Sequence, residues 1–324
     1  MLKLVGFLSS FGLSLVLGKL FIGNASKFFK AKARQWTPQT HQIKNDTPTM
    51  GGIFIVLSAV ITMLFCASLA NPLVAIALLC FLSFATIGAW DDWGKVCYKK
   101  GISARSKFIA QIAASFLVVM AWLYTVGFTT VRAIPLWGNV DIGFLCVPWA
   151  MFLIVATSNA VNLTDGLDGL ATSTLLPNFI VFGLIATYSQ VAFVPELALL
   201  CTSLCGALLG FLWYNRYPAK VFMGDVGSLA LGAVLAFIAL GVGQEFLLAF
   251  TGIVFVAETV SVMLQVAAVR YLKRRIFRMT PIHHHFELIG WPETKITFWF
   301  FMITLVCSCV ALIFFKITLL QRLT

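Results

Sequence analysis

The sequence predicts an all-α polytopic membrane protein with ten transmembrane helices, both chain ends on the outer side, and a small β-hairpin over that outer surface. Three observations carry this. Of the 324 residues, 60% are hydrophobic and only 11% are charged, whereas soluble domains carry about a quarter charged residues. The apolar residues come in blocks close to the ~20 needed to cross a hydrocarbon core. Lysine and arginine are segregated, with 18 of the 23 in the stretches 24–50, 91–107, 214–226 and 270–295. Lipid offers no partner to backbone polar groups, so each apolar block is a helix.

Taken in order, the predicted spans are 4–23, 51–69, 73–90, 108–127, 143–161, 171–189, 195–213, 227–243, 247–269 and 296–315. The first follows Lys3 as a signal peptide would, but it runs into basic sequence without a clear cleavage site, so it reads as a retained span. If the helices alternate, all four basic stretches lie on one side, which the positive-inside rule makes cytoplasmic. Both termini are then outside. The net charge of +11 follows from the same bias. The outer loops are short, except 128–142, where Val131–Leu136 and Val140–Ile142 flank Gly138-Asn139 as a hairpin. No internal repeat or linker appears, so residues 1–324 read as one integral-membrane domain, with membrane lipid as its surroundings and no nucleic-acid partner. The cysteines at 201, 205, 307 and 309 sit inside spans and read as small hydrophobes. Gly206 and Gly210 form a GxxxG that marks close helix packing.

Chemistry enters with the acids. Asp91, Asp92, Asp165, Asp168 and Asp225 all fall at or near the cytoplasmic ends of spans. One such residue is an ordinary solvated helix end. Five on one face point to a shared site, because ionisable groups at membrane depth are costly. The run Ala89-Trp90-Asp91-Asp92-Trp93-Gly94-Lys95 puts two adjacent carboxylates and a lysine where the third span ends. Adjacent acids repel, so the pair favours a cation or a shared proton. Carboxylates completed by water and phosphate suit Mg²⁺, and no histidine or thiolate accompanies them to favour zinc.

Asn159 and Asn162, then Asp165-Gly166-Leu167-Asp168-Gly169, follow the fifth span. Glycines let backbone N–H groups approach a ligand, and Asn and Asp can read a base or sugar. Asn215 to Ser228 adds Phe222, a flat face for stacking, and Asp225 just before the eighth span. The last large loop carries Arg270, Lys273, Arg274, Arg275 and Arg278, then His283-His284-His285. Basic runs beside a membrane attract anionic lipid; imidazoles can hold phosphate oxygens and move protons near neutral pH. Glu258, Ser261 and Gln265 share a face of the ninth span, either extending the site or bonding between helices. Oxygen ligands, cations for a polyphosphate and amides for a nucleoside, all beside lipid, fit phosphoryl-type transfer from a soluble nucleotide to a lipid acceptor.

These motifs resemble the phospho-N-acetylmuramoyl-pentapeptide transferases, within the polyprenyl-phosphate N-acetylhexosamine-1-phosphate transferases. Thr47-Pro48-Thr49-Met50-Gly51-Gly52, the Asp91-Asp92 segment, Asn159–Gly169, Phe222–Ser228 and Pro281–Glu287 occur in the family's order, and together they cover nearly the whole chain. The aspartate pair alone indicates the superfamily; Pro281-Ile282-His283-His284-His285-Phe286-Glu287 with Gly290-Trp291-Pro292 is specific to the muramoyl-pentapeptide branch. The resemblance implies ten helices with periplasmic termini in the bacterial cytoplasmic (inner) membrane, a homodimer, and a bent ninth helix bordering a lipid groove. It implies Mg²⁺-dependent transfer from UDP-MurNAc-pentapeptide to undecaprenyl phosphate, giving lipid I and UMP. By position, Asp225 becomes the Mg²⁺ ligand, with Asp91, Asp92 and His284 in the catalytic group. Lys107 and Lys95 hold phosphate. Lys44, Asn159, Asn162, Asp165, Gly166, Leu167, Asp168, Asn215, Phe222, Gln265, His283, His284 and His285 line the donor pocket. Where the family carries a basic residue and a glycine before Thr47, this chain has Asn45-Asp46, which removes a positive charge near Lys44.

Two rivals make different predictions. A sibling enzyme using UDP-N-acetylglucosamine conflicts with the triple-histidine segment. A secondary transporter would need acids near mid-membrane and an inverted repeat, yet only Glu258 lies deep in a span and the halves do not match.

Overall fold

The computed structural model describes residues 1–25, 47–127, 129–134, 138–189 and 193–321. Twelve α-helices and one hairpin build it, in the order α1 (Leu2–Ala25), α2 (Gly52–Cys66), α3 (Pro72–Tyr98), α4 (Ala104–Thr125), β1 (Val131–Ile134), β2 (Gly138–Asp141), α5 (Cys146–Thr164), α6 (Leu170–Tyr188), α7 (Leu197–Asn215), α8 (Gly224–Gly241), α9 (Glu245–Thr251), α10 (Ile253–Ala267), α11 (Ile282–Leu288) and α12 (Glu293–Gln321). Among the described residues, nine helices are long and apolar enough to cross a membrane, and α2 is a shorter apolar helix.

The centre of the bundle is α8. Leu229 to Leu240 are all buried there, and α3 and α5 pack on its flanks while α1 packs against α7. This explains why α8 carries no polar face: it meets protein all round, as an all-apolar helix should. The GxxxG of α7 faces α1, since a side chain on Gly206 would run into the Phe7 carbonyl and one on Gly210 would lie 2.6 Å from Ser14 Cβ.

Several helices depart from the sequence-based spans. α3 does not stop at residue 90 but continues to Tyr98, ending on the left-handed Lys99, so Asp91 and Asp92 lie inside the helix. α5 continues to Thr164, which places Asn159 and Asn162 on its last turns. α2 ends at Cys66, short of the apolar block. The predicted span 247–269 is broken at Gly252 and ends in a π-helical turn over Ala268–Leu272. In the hairpin, Ile134 pairs with Gly138, so Gly138 and Asn139 belong to the second strand and not to the turn.

The hairpin joins the far ends of α4 and α5, opposite the ends that carry Lys107 and Thr164. Arg132 of β1 and Glu245 at the start of α9 form an ion pair there, 3.3 Å apart and almost wholly buried. Removing one partner of a buried pair costs about 3–5 kcal/mol. Glu245→Leu should therefore lower the melting temperature in detergent by several degrees, with the transition remaining cooperative.

Candidate active site

The site grows from three helix ends. In α3, Asp91 and Asp92 are buried on the face turned to α8, and Lys95 follows one turn later. The carboxylates of Asp91, Asp92 and Asp225 offer ligand atoms all within 4.8 Å of one another. Lys95 Nζ stands among them, 2.8 Å from Asp91 Oδ2, 3.2 Å from Asp92 Oδ1 and 3.1 Å from Asp225 Oδ2. Lys107, in the first turn of α4, donates to Asp225 Oδ2 and lies 3.7 Å from Asp91.

Local structure dictates these positions. The backbone N–H of Ile102 donates to Asp91 Oδ1 at 2.8 Å, which turns the chain from α3 into α4. Ser103 then caps α4 by accepting from the Ser106 N–H, and Lys107 arrives one turn later. The buried N–H of Val226, in the first turn of α8, donates to Asp92 Oδ2 at 3.1 Å, a favourable place for an acid. Asp225 is in the first turn of α8 but caps nothing. Its carboxylate turns into the cluster instead, accepting at Oδ1 from the Asn162 amide at 2.9 Å, and Asn162 also donates to Ser228 Oγ. The close approach of α3 and α8 needs Gly88, because a Cβ there would lie in the Asp225 carbonyl and 2.5 Å from the Val226 nitrogen.

The Thr47–Gly52 motif runs beside this centre. Phe222 N–H donates to the Pro48 carbonyl, and Gly51 and Gly52 donate to the carbonyls of Phe222 and Met223, each at 2.8 Å. The half-buried Phe222 is thereby fixed just ahead of Asp225. Lys44 and Asn45-Asp46 lie outside the described residues.

A second group forms around Asp165 to Gly169. Asp165 lies beyond the end of α5; burial of its carboxyl, then the charges of Asp225 and Asp92, push it up to about 8. Gly166 faces the ring of His283, whose Nε2 would collide with any Cβ there. His283 is fully buried, with Nδ1 2.9 Å from Glu258 Oε1. His284 Nδ1 lies 2.6 Å from Glu287, and its ring centre is 4.2 Å from that of His283. His285 Nδ1 accepts from the Arg278 N–H.

Three predicted donor-pocket residues hold backbone. Asp168 Oδ2 accepts from the Ala219 N–H at 2.9 Å. Asn215 Oδ1 accepts from Gly169 N–H and Thr172, while its amide donates to the Val221 carbonyl. Gln265 clamps the loop after α10, accepting from Ile276 and Phe277 N–H and donating to the Phe277 carbonyl. Asn159 pairs with Gln111 of α4 at 2.8 Å. Gln111, Ser228, Glu293 and Thr297 were not singled out from sequence; Glu293 and Thr297 reach Asp168 from α12. Gln111 is a lone polar residue in an apolar stretch, Ser228 closes the Phe222–Ser228 motif, and Glu293 and Thr297 sit among the polar residues that open a helix, signals too common to mark a site. Leu167 is buried in a small apolar cluster with Leu170, Val254, Ile296 and Phe300.

Packed membrane helices that bring three aspartates and two lysines to one end define a membrane-embedded transferase class, and the profile of glycosyl transferase family 4 matches residues 74–243, which include that centre. The phospho-N-acetylmuramoyl-pentapeptide-transferase signature 1 matches residues 44–56. Curated relatives named phospho-N-acetylmuramoyl-pentapeptide-transferase include those of Campylobacter lari (45% identical, covering 87% of this chain and 85% of the relative), Aquifex aeolicus (41%, covering 96% and 91%) and Nautilia profundicola (42%, covering 97% and 94%). The chain belongs to the phospho-N-acetylmuramoyl-pentapeptide-transferase family.

Proposed function

We propose that this protein transfers phospho-MurNAc-pentapeptide from UDP-MurNAc-pentapeptide to undecaprenyl phosphate, forming lipid I and UMP in the first membrane step of peptidoglycan synthesis. The observation that carries this is the buried centre of Asp91, Asp92 and Asp225 interleaved with Lys95 and Lys107. The protein is read as one integral-membrane unit, 1–324, in the bacterial cytoplasmic membrane. Counting α2 gives ten spans, with both termini periplasmic, the centre facing the cytoplasm and a homodimer as the assembled form. The Lys/Arg segregation supports this orientation.

Three carboxylates against two ammonium groups leave one net negative charge, and the all-oxygen donor set fits Mg²⁺. Asp225 is its proposed ligand, with Asp91 and Asp92 alongside. When bound, Mg²⁺ would neutralise charge on the donor pyrophosphate. Lys95 and Lys107 hold phosphate oxygens, and Asn162 fixes the Asp225 carboxylate. In a direct route a lipid phosphate oxygen displaces UMP at the sugar-bearing phosphorus, one P–O bond forming as the pyrophosphate P–O bond breaks. In a two-step route an aspartate oxygen displaces UMP first, and the lipid phosphate then displaces the aspartate. Asp91 or Asp92 takes part either as base toward the lipid phosphate or as nucleophile in a two-step route, and the family pattern adds His284 to the catalytic group. Asp165, Gly166, Phe222 and His285 face the donor in this reading, with Lys44 assigned by the family pattern alone. The buried Leu167 and His283 back them, Asn159 ties α5 to α4, and Asp168, Asn215 and Gln265 shape the pocket by holding backbone.

The test is UMP release from UDP-MurNAc-pentapeptide, with and without polyprenyl phosphate. Multiple-turnover release should require both Mg²⁺ and lipid, stop on chelation, and fall strongly with UDP-N-acetylglucosamine. No UMP under any condition would overturn the reading. With lipid omitted, sugar phosphate trapped on the protein would identify the two-step route.

A further inference from the structure

We infer that Glu293, in the first turn of α12, is a positioning residue that sets the backbone of the Asp165–Gly169 loop and with it the affinity for the nucleotide-sugar donor. The inference rests on the reading of that loop as donor-facing. The backbone N–H of Asp168 donates to Glu293 Oε1. One turn along the same helix, Thr297 Oγ1 donates to the Asp168 carbonyl at 3.3 Å. Residues four apart share a helix face, so one face of α12 holds both backbone polar groups of a single loop residue, Asp168. A charged acceptor makes the first of these among the stronger hydrogen bonds.

The remaining anchors of this loop come from elsewhere. Ala219 N–H holds the Asp168 carboxylate, and Asn215 holds the Gly169 N–H. Beneath them Leu167 and Leu170 pack with Ile296 and Phe300 of α12, and Ile282, Phe286 and Trp291 close over the same cluster. The loop, the triple-histidine helix α11 and the start of α12 are therefore one packed unit, and Gly166 sits against His283 at its edge. Glu293 is the charged tie from α12 to the backbone of that loop. The ion pairs of the aspartate centre run to Lys95 and Lys107, so loss of Glu293 should loosen the donor loop and spare the metal and phosphate side. A loop that is correctly placed only part of the time weakens apparent affinity by that fraction.

The test compares Glu293→Ala, Glu293→Gln and Thr297→Val in the full chain. Steady-state UMP release is combined with calorimetric binding of UDP-MurNAc-pentapeptide. Glu293→Ala should raise the donor KM and Kd about tenfold or more. Its kcat at saturating donor should stay within about threefold of the parent, as should the KM for polyprenyl phosphate and the Mg²⁺ midpoint. Glu293→Gln keeps an acceptor oxygen and should stay within about threefold of the parent in donor KM. Thr297→Val, which preserves the carboxylate, should fall between them and covers the case of a Glu293→Ala protein that does not fold. An unchanged donor Kd in Glu293→Ala and Thr297→Val would overturn the inference, as would a loss confined to kcat. A parent that binds donor but releases no UMP would refute the proposed reaction, while the Glu293 comparison would still be read from binding.

Discussion

Asp225→Asn should abolish turnover, lowering kcat by about a thousandfold or more, in a protein that keeps its fold. The expectation follows from what the carboxylate touches. Oδ2 receives both Lys95 and Lys107, and Oδ1 receives Asn162. An asparagine of the same shape offers one oxygen, removes the charge that a cation requires, and can turn its own N–H groups toward the ammonium groups. Stability should change little. Lys95 and Lys107 keep Asp91 and Asp92 as partners, an acid in the first turn of a helix contributes only about 0.3–1 kcal/mol, and the packing of α8 is supplied by Leu229 to Leu240. UMP release measured across a Mg²⁺ titration, beside a melting curve, checks this. Turnover within tenfold of the parent at any Mg²⁺ concentration would remove Asp225 from the metal role.

The two families of polar residue differ in how readable they were. Asp91, Asp92, Lys95 and Asp225 stood out because ionisable residues adjoining apolar spans have few structural uses, and the structure does bring those four together. Asp168, Asn215 and Gln265 carry the same donors and acceptors whether they face a ligand or a backbone. Only their partners distinguish them, and those lie at Ala219, Gly169 and Phe277, which no spacing rule links to them. Helix ends misled for a related reason. Asp91 looked like the end of a span because hydropathy falls there, yet backbone hydrogen bonding ignores hydropathy and carries α3 on to Tyr98. The break at Gly252 was hidden in the opposite way, since apolar sequence continues across it. The Arg132–Glu245 pair was invisible because each residue alone reads as a loop charge.

The most demanding test of the centre lies at a residue with no side chain. Gly88 precedes Asp92 by one turn on the same face of α3, and its Cα abuts the backbone of Asp225 and Val226. That contact sets the distance between the helix carrying Asp91 and Asp92 and the helix carrying Asp225. A methyl group at position 88 has no flexible side chain to displace, only the α8 backbone, so α8 must move away. Overpacking of this kind costs about 1–3 kcal/mol. The functional cost should be larger, because the same shift opens the cluster whose ligand atoms lie within 4.8 Å and weakens the Val226 N–H to Asp92 bond. A displacement near 1 Å can cost about a hundredfold in rate. Gly88→Ala is therefore expected to lose about a hundredfold in kcat while still melting cooperatively, and Thr86→Ala, on the exposed side of the same helix, should match the parent. If Gly88→Ala turned over within threefold of Thr86→Ala, the spacing of α3 and α8 would not be what holds the aspartates in register.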